Sequence, residues 1–379
     1  MISSDNLRIF KNKKVFITGH TGFKGSWLSL WLRNLGANVY GYALPPPTNP
    51  SLFELLKLEH NLDHLVADIR DKEVLTKCLA QIKPDIIFHL AAQSVVRESY
   101  LTPAETIETN VMGTLNVMEA VRETGISTAM VMVTSDKCYA NKEWMHGYRE
   151  SDPLGGHDPY SASKGAAEIL ISSWRNSFFN PEQVRQHGVR LASVRAGNVI
   201  GGGDWTKDQL VPDCVRHLKI DKPIPIRSPS ATRPWQHVLE PLSGYMLLGA
   251  KLLGPIEQTA QYCDAFNFGP LISSNKTVKD LVEKIIEYWG EGSWESSQPE
   301  KIFHEASLLN LSIDKTYHKL QWLPKWDFEK AVSTTVEWYK GLRHEPSNIL
   351  KITLDQINSY EYDSKLSDQL LPIEMNLNS

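Results

Sequence analysis

Blocks of apolar and polar residues alternate along the first half of the chain, and their spacing switches between two periods. Short apolar, β-branched runs predict strands at 14–18, 38–43, 65–69, 85–91 and 129–134. Between them, apolar residues every third or fourth position predict helices at 23–35, 72–82 and 105–124. Because strand, helix and strand follow one another at this rhythm, we expect right-handed crossovers and a doubly wound α/β fold with a parallel sheet.

The second half is less regular and contains glycine- and proline-rich stretches. The segment "RAGNVIGGGDW" follows a strand predicted at 190–195, and its glycines favour a tight loop. "KPIPIRSPS" is typical of an extended segment, and apolar spacing predicts helices at 277–289 and 328–339. From residue 344 the chain is polar with at most a short helix, so we expect a partly disordered, non-catalytic tail.

Charge and cysteine content narrow the class of protein. The net charge is −4, so no basic face for nucleic acid is indicated. The four cysteines, Cys78, Cys138, Cys214 and Cys263, match neither a zinc spacing nor a disulfide framework. No apolar stretch approaches the roughly 20 residues of a membrane helix, and a strand beginning at Lys14 leaves no room for a signal peptide. We therefore expect a soluble cytoplasmic protein without a metal site.

Three glycines, Gly19, Gly22 and Gly25, stand where the first strand turns into the first helix. The absence of a β-carbon allows a sharp turn and a close approach of the main chain to a pyrophosphate, which the helix N-terminus attracts. The acidic residue that often follows the second strand is absent, and Lys24 is placed to approach a 2′-phosphate. The loop predicts dinucleotide binding, with NAD favoured over NADP.

Asp68 and Ile69 end the third predicted strand and have two compatible interpretations. They are placed to hold an adenine, and the aspartate is also placed to cap the helix at 72–82.

A polar cluster, "VTSDKCY", directly follows the fifth predicted strand. A strand-ending turn explains it equally well until the fold is considered. Ligands of parallel α/β sheets bind at the carboxyl ends of the strands, and the cluster occupies such an end. The position favours a functional role.

Tyr160 and Lys164 are four residues apart at the start of a predicted helix, in "DPYSASK". This spacing places both side chains on one face, one turn apart. A tyrosine has an ordinary pKa of about 10, and a neighbouring ammonium group favours its phenolate. The pair predicts a base that takes a proton from a sugar hydroxyl while hydride leaves its carbon.

These motifs together resemble the extended short-chain dehydrogenases/reductases of the nucleotide-sugar branch, over roughly residues 8 to 343. "HLAAQSVV" and "TNVMGT" are similar to the fourth strand and the following helix of that family. Within it, "GHTGFKGSWL", "TSDKCY", "RAGNVIGGGDW" and "RPWQHVLEPLSGY" resemble most the dehydratases that act on CDP-glucose.

The resemblance implies a Rossmann-type NAD-binding domain at 8–195 with a returning segment at about 235–268. It also implies a smaller α/β nucleotide-sugar domain at 196–234 and 269–343, followed by a tail at 344–379. The implied cofactor-binding residues are Gly19, His20, Thr21, Gly22, Phe23, Lys24, Gly25, Asp68, Ile69, Leu90, Ala91, Ala92, Asn110, Tyr160 and Lys164. The implied substrate-binding residues are Gln93, Ser94, Arg195, Asn198, Asp204, Trp205, Arg216, Arg227 and Arg233.

The reaction implied by the resemblance turns CDP-glucose into its 4-keto-6-deoxy derivative, for deoxysugar and lipopolysaccharide-type biosynthesis, with NAD reduced and reoxidised in one turnover. By analogy Ser135 contacts the C4 oxygen, Asp136 is the acid for C6 and Lys137 is the base for C5. Related dehydratases have glutamate in place of Lys137, whose ordinary pKa of about 10.4 requires lowering by burial. Asp136 must instead stay protonated. Since neighbours along a strand face opposite ways, we predict a turn at these residues.

Two further aspects follow from the resemblance. The helices around 105–124 and 160–179 pair with their copies in a homodimer of this family, and both carry enough apolar positions for a second buried stripe. These positions are Ile107, Val111, Leu115, Met118, Ala166, Ile169, Leu170 and Trp174, which the sheet of one subunit also explains. The alternatives for the function are a nucleotide-sugar epimerase or reductase, which needs no acid–base pair for C5 and C6, and a non-enzymatic dinucleotide sensor.

Overall fold

The computed structural model describes residues 7–297 and 308–370, so part of the predicted second domain, at 298–307, and the end of the predicted tail, at 371–379, lie outside the described residues. The strands are β1 Lys14–Thr18, β2 Asn38–Ala43, β3 Asp63–Val66, β4 Ile86–His89, β5 Ala129–Val133, β6 Arg190–Ala196, β7 Val199–Ile200, β8 Ile224–Ile226, β9 Thr232–Pro234, β10 Gln236–His237, β11 Ala265–Phe268, β12 Asn275–Thr277 and β13 Trp294–Ser296. The helices are α1 Phe23–Asn34, α2 Leu52–Leu55, α3 Lys72–Ile82, α4 Val96–Leu101, α5 Pro103–Ile107, α6 Gly113–Thr124, α7 Pro159–Ser177, α8 Val184–His187, α9 Leu210–Leu218, α10 Leu239–Leu252, α11 Ile256–Thr259, α12 Val278–Trp289, α13 Asp314–Leu320, α14 Phe328–His344 and α15 Ile349–Leu370.

Among the described residues, seven strands form one parallel sheet in the order β11-β6-β5-β4-β1-β2-β3. The order reverses between β1 and β4, so the carboxyl ends of these two strands diverge into a crevice. The apolar runs of β1, β4 and β5 are buried, as expected for central strands covered by helices on both faces. The predicted doubly wound α/β fold is confirmed.

The third strand differs from the prediction at 65–69. It begins at Asp63, ends at Val66 and is exposed along its length, because it lies at the edge of the sheet next to β2. The chain then turns at Asp68, whose carboxylate accepts a hydrogen bond from the Arg70 main chain at 2.8 Å. Asp71 caps α3 by accepting from Val74, so the predicted capping role belongs to Asp71.

The segment that returns after residue 235 adds β11 to the sheet beside β6. The other short strands pair in twos, β10 with β7, β12 with β9 and β13 with β8, outside the main sheet. Residues of β7, β8, β9 and α9 share one cavity with residues at the carboxyl ends of β1, β4 and β5, so this part of the chain lies across that edge of the sheet. The boundaries between the two predicted domains stay a prediction.

The tail does not match the expected partly disordered segment. Residues 349 to 370 form a helix, α15, and its apolar residues Ile349, Ile357 and Tyr360 are buried in the larger core. The sequence did not predict that α15 packs on the core, because α15 has few apolar positions and hydrogen bonds contribute to the packing. Trp31 donates its indole hydrogen to Glu361 at 2.7 Å, and Tyr360 donates its hydroxyl to the buried Glu240 at 2.7 Å.

Glu240 is a buried carboxyl group that joins three segments of the chain. It accepts hydrogen bonds from the main-chain N–H groups of Lys325 and Trp326, at 3.0 and 2.6 Å, as well as from Tyr360. Burial raises the pKa of Glu240 to about 7. The folded protein therefore holds a proton that the unfolded chain loses above about pH 4.5.

We expect Glu240→Gln to flatten the pH dependence of stability. Because the pKa of Glu240 is raised in the folded state, its contribution is fully present below pH 4.5 and is lost as the pH rises through about 7. The loss is on the order of 3 kcal/mol, and an amide does not incur it. Urea unfolding at pH 5 and pH 8 measures the difference, with Glu337→Gln on the exposed face of α14 as the control. Equal pH dependence in wild type and Glu240→Gln would contradict this assignment.

Candidate active site

A cavity of about 1600 Å³ lies along the carboxyl ends of the central strands. Its floor is formed by the sheet and its far wall by the C-terminal segments. The predicted site residues that line it are Gly19, Thr21, Gly22, Phe23, Lys24, Gly25, Asp68, Ile69, Leu90, Ala91, Ala92, Gln93, Ser94, Ser135, Asp136, Lys137, Tyr160, Lys164, Asn198, Asp204, Trp205, Arg216, Arg227 and Arg233. The structure therefore brings most of the predicted residues to one place.

The glycine loop is packed too tightly for side chains. Gly19 has a φ of 76°, which favours glycine, and a β-carbon there would lie 2.7 Å from the main-chain nitrogen of Ala91. A β-carbon on Gly25 would lie 2.1 Å from the carbonyl oxygen of Gly19. The bare main chain and the N-terminus of α1 thus face the cavity, which is the arrangement that fits the pyrophosphate of a dinucleotide.

The predicted turn after β5 is confirmed. The strand ends at Val133, and residues 136 to 138 form a single 3₁₀ turn. The side chain of Ser135 accepts a hydrogen bond from the Lys137 main chain at 3.2 Å and donates one to Asp136 at 2.9 Å. As a result Ser135, Asp136 and Lys137 all line the cavity, although they are consecutive in the chain.

Tyr160 and Lys164 enter the same cavity from the first turns of α7. Asp158 caps this helix by accepting from the Ser161 main chain at 2.9 Å, and the Tyr160 main chain donates to Ser99 at 3.2 Å. The ammonium nitrogens of Lys137 and Lys164 lie 5.9 and 6.0 Å from the centre of the Tyr160 ring. The lysine of the turn and the tyrosine of the helix therefore face one another across a shared space.

Burial shifts the proton affinity of the acidic groups in this cluster. Burial raises the pKa of Asp136, in the direction that a general acid requires. It also raises the pKa of the Tyr160 phenol, and a hydrogen bond with Ser135 opposes that shift. Lys164 was expected to lower the pKa of Tyr160. In the structure burial is the larger effect, and the pKa is raised.

Two buried amines show the opposite shift. Burial, together with the charge of Lys24, lowers the pKa of Lys164 to about 8. Burial lowers the pKa of Lys24 to about 8 as well, although the nearby carboxylate of Asp136 opposes the shift. The burial predicted for Lys137 is not observed, because this side chain is only half-buried.

Arg195 was predicted to bind substrate, but the structure places it in the core and not in the cavity lining. The residue is 3% exposed. It pairs with the buried Glu168 at 2.7 Å and donates to the Tyr139 hydroxyl at 2.8 Å. Arg195 thus supports the turn after β5 from below, and its place in a buried strand explains why it faces the core.

Two predicted cofactor residues also lie outside the cavity lining. Asn110 is buried and uses its amide to hold the main chain of Gln93, at 2.8 and 2.9 Å, and the hydroxyl of Ser163. His20 points under the glycine loop, where its ring contacts Phe53 and His64 with centroids 5.3 Å away in both cases. Both residues position loops of the site instead of lining it.

Four residues at or beside the cavity were missed by the sequence analysis. Tyr245 on α10 lies with its ring centre 5.9 Å from the Lys24 amine, and Gly197 lies against Asp136. Arg97 and Asp208 form an ion pair at 3.1 Å at the cavity wall. The glycine in "RAGNVIGGGDW" was a usable signal, whereas the other three depend on long-range contacts that spacing does not reveal.

A glycine-rich dinucleotide loop at the first strand, with Tyr160 and Lys164 one helical turn apart beside it, defines a short-chain dehydrogenase/reductase on a Rossmann-type fold. The chain belongs to the GDP-mannose 4,6 dehydratase family, whose model matches residues 16–252.

Comparison with individual proteins supports the same placement. A CDP-glucose 4,6-dehydratase of Salmonella typhimurium is 50% identical over 332 residues, covering 88% of this chain and 92% of that protein. A CDP-paratose 2-epimerase of Salmonella typhi is 26% identical over 357 residues, covering 87% and 100%. The crystal structure of a dTDP-glucose 4,6-dehydratase from Bacillus anthracis in complex with NAD superposes with a TM-score of 0.71 at 21% identity, covering 89% and 99%. This last likeness shows the fold.

The described residues hold no cluster of three or more histidine, cysteine, aspartate or glutamate side chains suited to a metal ion. Within the same residues, each helix is too short or too polar to cross a membrane.

We expect Gly197→Ala to displace the carboxyl group of Asp136, which the sequence analysis predicts to be a general acid. A β-carbon on Gly197 would lie 2.6 Å from Oδ2 of Asp136, so the carboxyl group must move. Because general acid catalysis contributes about 10²- to 10⁴-fold, displacement of the predicted acid should lower turnover at least about tenfold. Steady-state turnover measures the loss.

The matched control for this prediction is the same change in an Asp136→Asn background. If Gly197 acts through Asp136, the second substitution adds little to the first. Wild-type turnover in Gly197→Ala, or a full additional loss in the double variant, would show that Gly197 does not position the acid.

Proposed function

We propose that this chain is a CDP-glucose 4,6-dehydratase, a hydro-lyase that converts CDP-D-glucose to CDP-4-dehydro-6-deoxy-D-glucose and water. The observation that carries the proposal is the convergence of Asp136, Lys137 and Tyr160 on one cavity beside a dinucleotide loop. The 50% identity to the Salmonella typhimurium enzyme of that name supports the choice of substrate. The product belongs to the class of compounds from which deoxysugars are built.

The resident cofactor in this proposal is NAD. The main chain at Gly19 and Gly25 leaves room for its pyrophosphate, and Asp68 and Ile69 line the part of the cavity suited to its adenine. Tyr160 and Lys164 flank the part suited to its nicotinamide. When bound there, NAD would supply the hydride acceptor for C4 of the sugar and, once reduced, the hydride donor for C6.

Tyr160 takes the proton of the C4 hydroxyl in the first step. Burial raises the pKa of the phenol, and the interaction with Ser135 opposes that shift. The amine of Lys164 lies 6.0 Å from the centre of the Tyr160 ring, close enough for its protonated form to balance the charge of a phenolate. The carbonyl group that results at C4 acidifies the neighbouring C5–H bond, which the second step requires.

Lys137 and Asp136 carry out the loss of water. The amine of Lys137 takes the proton from C5, and the carboxyl group of Asp136 gives a proton to the C6 hydroxyl, which leaves as water. Lys137 then returns its proton to C5. Burial raises the pKa of Asp136, which favours the protonated form that an acid requires, and Lys137 lines the cavity.

Proton balance between the two steps assigns a task to Ser135. Over a full turnover Tyr160 gains one proton, from the C4 hydroxyl, and Asp136 loses one, to water. The hydroxyl of Ser135 donates to Asp136 at 2.9 Å, and Ser135 also interacts with the Tyr160 phenol strongly enough to oppose the rise of its pKa. Ser135 therefore lies between the two groups, where its hydroxyl can pass a proton from Tyr160 to Asp136 and reset both residues.

The far wall of the cavity binds the nucleotide diphosphate. Arg227 and Arg233 present guanidinium groups to the cavity, and guanidinium forks match phosphate oxygens in a bidentate manner. Asn198 lines the same wall as a further diphosphate contact, and Arg216 lines it where the ribose and base extend. The preference for cytosine follows from the similarity to the Salmonella typhimurium enzyme, not from a particular contact.

An epimerase is the alternative function, favoured by the 26% identity to the CDP-paratose 2-epimerase. Exchange of configuration at a carbon bearing a hydroxyl needs Tyr160 and a dinucleotide alone. The placement of a buried acid and an amine beside that tyrosine favours dehydration, since epimerisation uses neither.

A homodimer through α5, α6 and α7 belongs to the same proposal. Ile107 and Ile169 are 39% and 58% exposed, and large apolar side chains at such levels on adjacent helices favour a partner surface. Met118 is fully buried in the subunit core, so it belongs to the monomer and not to the stripe. The π turn at 108–112 interrupts the predicted continuous helix.

A cytoplasmic location is consistent with the cysteines. All four cysteines are unpaired, as is usual in a reducing compartment.

The substrate panel tests the proposed function directly. We expect the purified protein with added NAD to form a 4-keto chromophore from CDP-glucose, and more slowly from the GDP, UDP and dTDP sugars. Interconversion of hexoses without the chromophore would favour the epimerase. If none of the four nucleotide sugars reacts, both the dehydratase and the epimerase proposals are wrong.

Lys137→Ala should separate oxidation from dehydration. Without the amine, deprotonation of C5 slows by about 10²-fold or more, while oxidation at C4, which depends on Tyr160, persists. In a stopped-flow experiment the absorbance of reduced cofactor should then accumulate. Full dehydration rates in this variant would remove Lys137 from its role, and Lys142→Ala, at the cavity edge, is the control for loss of a positive charge.

Ile169→Glu should weaken the dimer, because it places a charge in an apolar interface. Light scattering coupled to size exclusion measures the mass. Gln186→Glu is the matched control, since it adds the same negative charge at an exposed position on α8, outside the three helices of the proposed interface. A dimer of unchanged stability in Ile169→Glu would place the interface elsewhere.

A further inference from the structure

The wall of the cavity contains an ion-pair bridge between the two halves of the chain. Asp208 lies in the loop that connects β7 to α9, and its Oδ1 atom accepts from Arg97 at 3.1 Å and from Arg227 at 3.2 Å. Arg97 belongs to α4, beside the sheet, whereas Arg227 follows β8 on the opposite wall. All three residues line the cavity.

The geometry of the bridge is that of an anion site occupied by a side chain. Two guanidinium groups converge on one carboxylate oxygen, and without that negative charge they would repel each other. A diphosphate offers more charge and more acceptor oxygens than a carboxylate, so it is the stronger partner for both arginines. Arg227 is also a residue that the proposed function assigns to the diphosphate.

The loop that carries Asp208 is anchored at its base and forms a turn at its tip. The carbonyl groups of Trp205 and Thr206 each accept from Arg216 at 3.2 Å, which fixes the base. Asp208 itself has a φ of 61°, in the left-handed region that non-glycine residues seldom occupy. Its side chain is 37% exposed, and the two ion pairs join the tip to both walls of the cavity.

We propose that Asp208 is a stand-in for the substrate diphosphate, which displaces it from Arg97 and Arg227 on binding. While no nucleotide is present, the carboxylate holds the two guanidinium groups close together and balances their positive charge. The nucleotide then exchanges one anion for another, and the tip of the loop is released from the bridge. This inference rests on the proposed function for the identity of the ligand, but not for the competition itself.

The opposite role for Asp208 is preorganisation, in which the carboxylate orients Arg227 and remains in place beside the diphosphate. The two roles predict opposite effects of removing the Asp208 charge on the affinity for the diphosphate. If Asp208 competes, removing its charge strengthens diphosphate binding; if it only orients Arg227, removing the charge weakens binding.

The test is Asp208→Asn. Asparagine keeps the shape of the side chain and tolerates the left-handed backbone, so the fold is preserved. Partly exposed ion pairs are worth little, and we expect the Kd of CDP, measured calorimetrically in the presence of NAD, to fall about two- to fivefold. The Kd of cytidine, which has no phosphate, should not change. An unchanged or higher Kd for CDP overturns the proposal.

Glu98→Gln is the matched control. Glu98 is an exposed residue of α4 that lines the same cavity next to Arg97, and its substitution removes one negative charge without removing the bridge. If Glu98→Gln lowers the Kd of CDP as much as Asp208→Asn does, the effect is general electrostatics and the stand-in role is wrong.

Inorganic pyrophosphate separates this proposal from the proposed function. It should compete with the Asp208 carboxylate whichever nucleotide the enzyme prefers, and therefore bind Asp208→Asn more tightly than wild type. Failure of the CDP-glucose assay together with tighter pyrophosphate binding would overturn the proposed substrate and retain the stand-in role. Equal pyrophosphate binding in both proteins would overturn the stand-in role alone.

Discussion

One buried carboxylate, Glu168, ties α7, which carries Tyr160 and Lys164, to the turn that carries Ser135, Asp136 and Lys137. It lies on α7, one turn beyond Lys164, and accepts hydrogen bonds from Thr134 at 2.5 Å, Ser193 at 2.9 Å and Arg195 at 2.7 Å. Thr134 is the last residue before the turn that carries Ser135, so the helix and the turn share one anchor. Removal of one partner of a buried pair leaves an uncompensated charge, which is strongly destabilising. The distance between the Tyr160 phenol and the Lys137 amine therefore depends on the hydrogen bond between Thr134 and Glu168, although neither Tyr160 nor Lys137 takes part in it.

The cavity buries a carboxyl group and two amines next to one another, and the loss of water around them changes their pKa values. Burial raises the pKa of Asp136 and lowers the pKa values of Lys24 and Lys164 to about 8. Each group is thereby moved toward its neutral form, and a neutral acid beside weakly basic amines is what proton transfer near neutral pH requires. The same side chains in bulk water would keep their ordinary pKa values, so their burial in the wall of the cavity is part of the chemistry.

The sequence was sufficient for the sheet and for the side chains at its carboxyl edge, and it failed where long-range polar contacts decide the outcome. Periodicity located β1, β2 and α3 at their observed bounds, and the turn at Asp136 followed from the need for neighbours to face one way. It did not reveal that Arg195 faces Glu168, because a buried charge and a ligand-binding charge look alike in a sequence. The tail was missed for the same reason, since Tyr360 finds its partner in Glu240, 120 residues away.

The tail also bears on the active site through a single helix. Glu240, which binds Tyr360, is in the first turn of α10, and Tyr245 is further along the same helix, with its ring against Lys24. The pKa of Tyr245 is raised by burial and by the charge of Asp136, so this part of the helix lies within the field of the catalytic cluster. The tail fixes the start of α10 through Tyr360, and Tyr245 of α10 packs against Lys24. The helix therefore resists displacement of Lys24. The charge of Lys24 lowers the pKa of Asp136 while burial raises it, so the seating of α10 helps to fix the balance that sets the protonation of the acid.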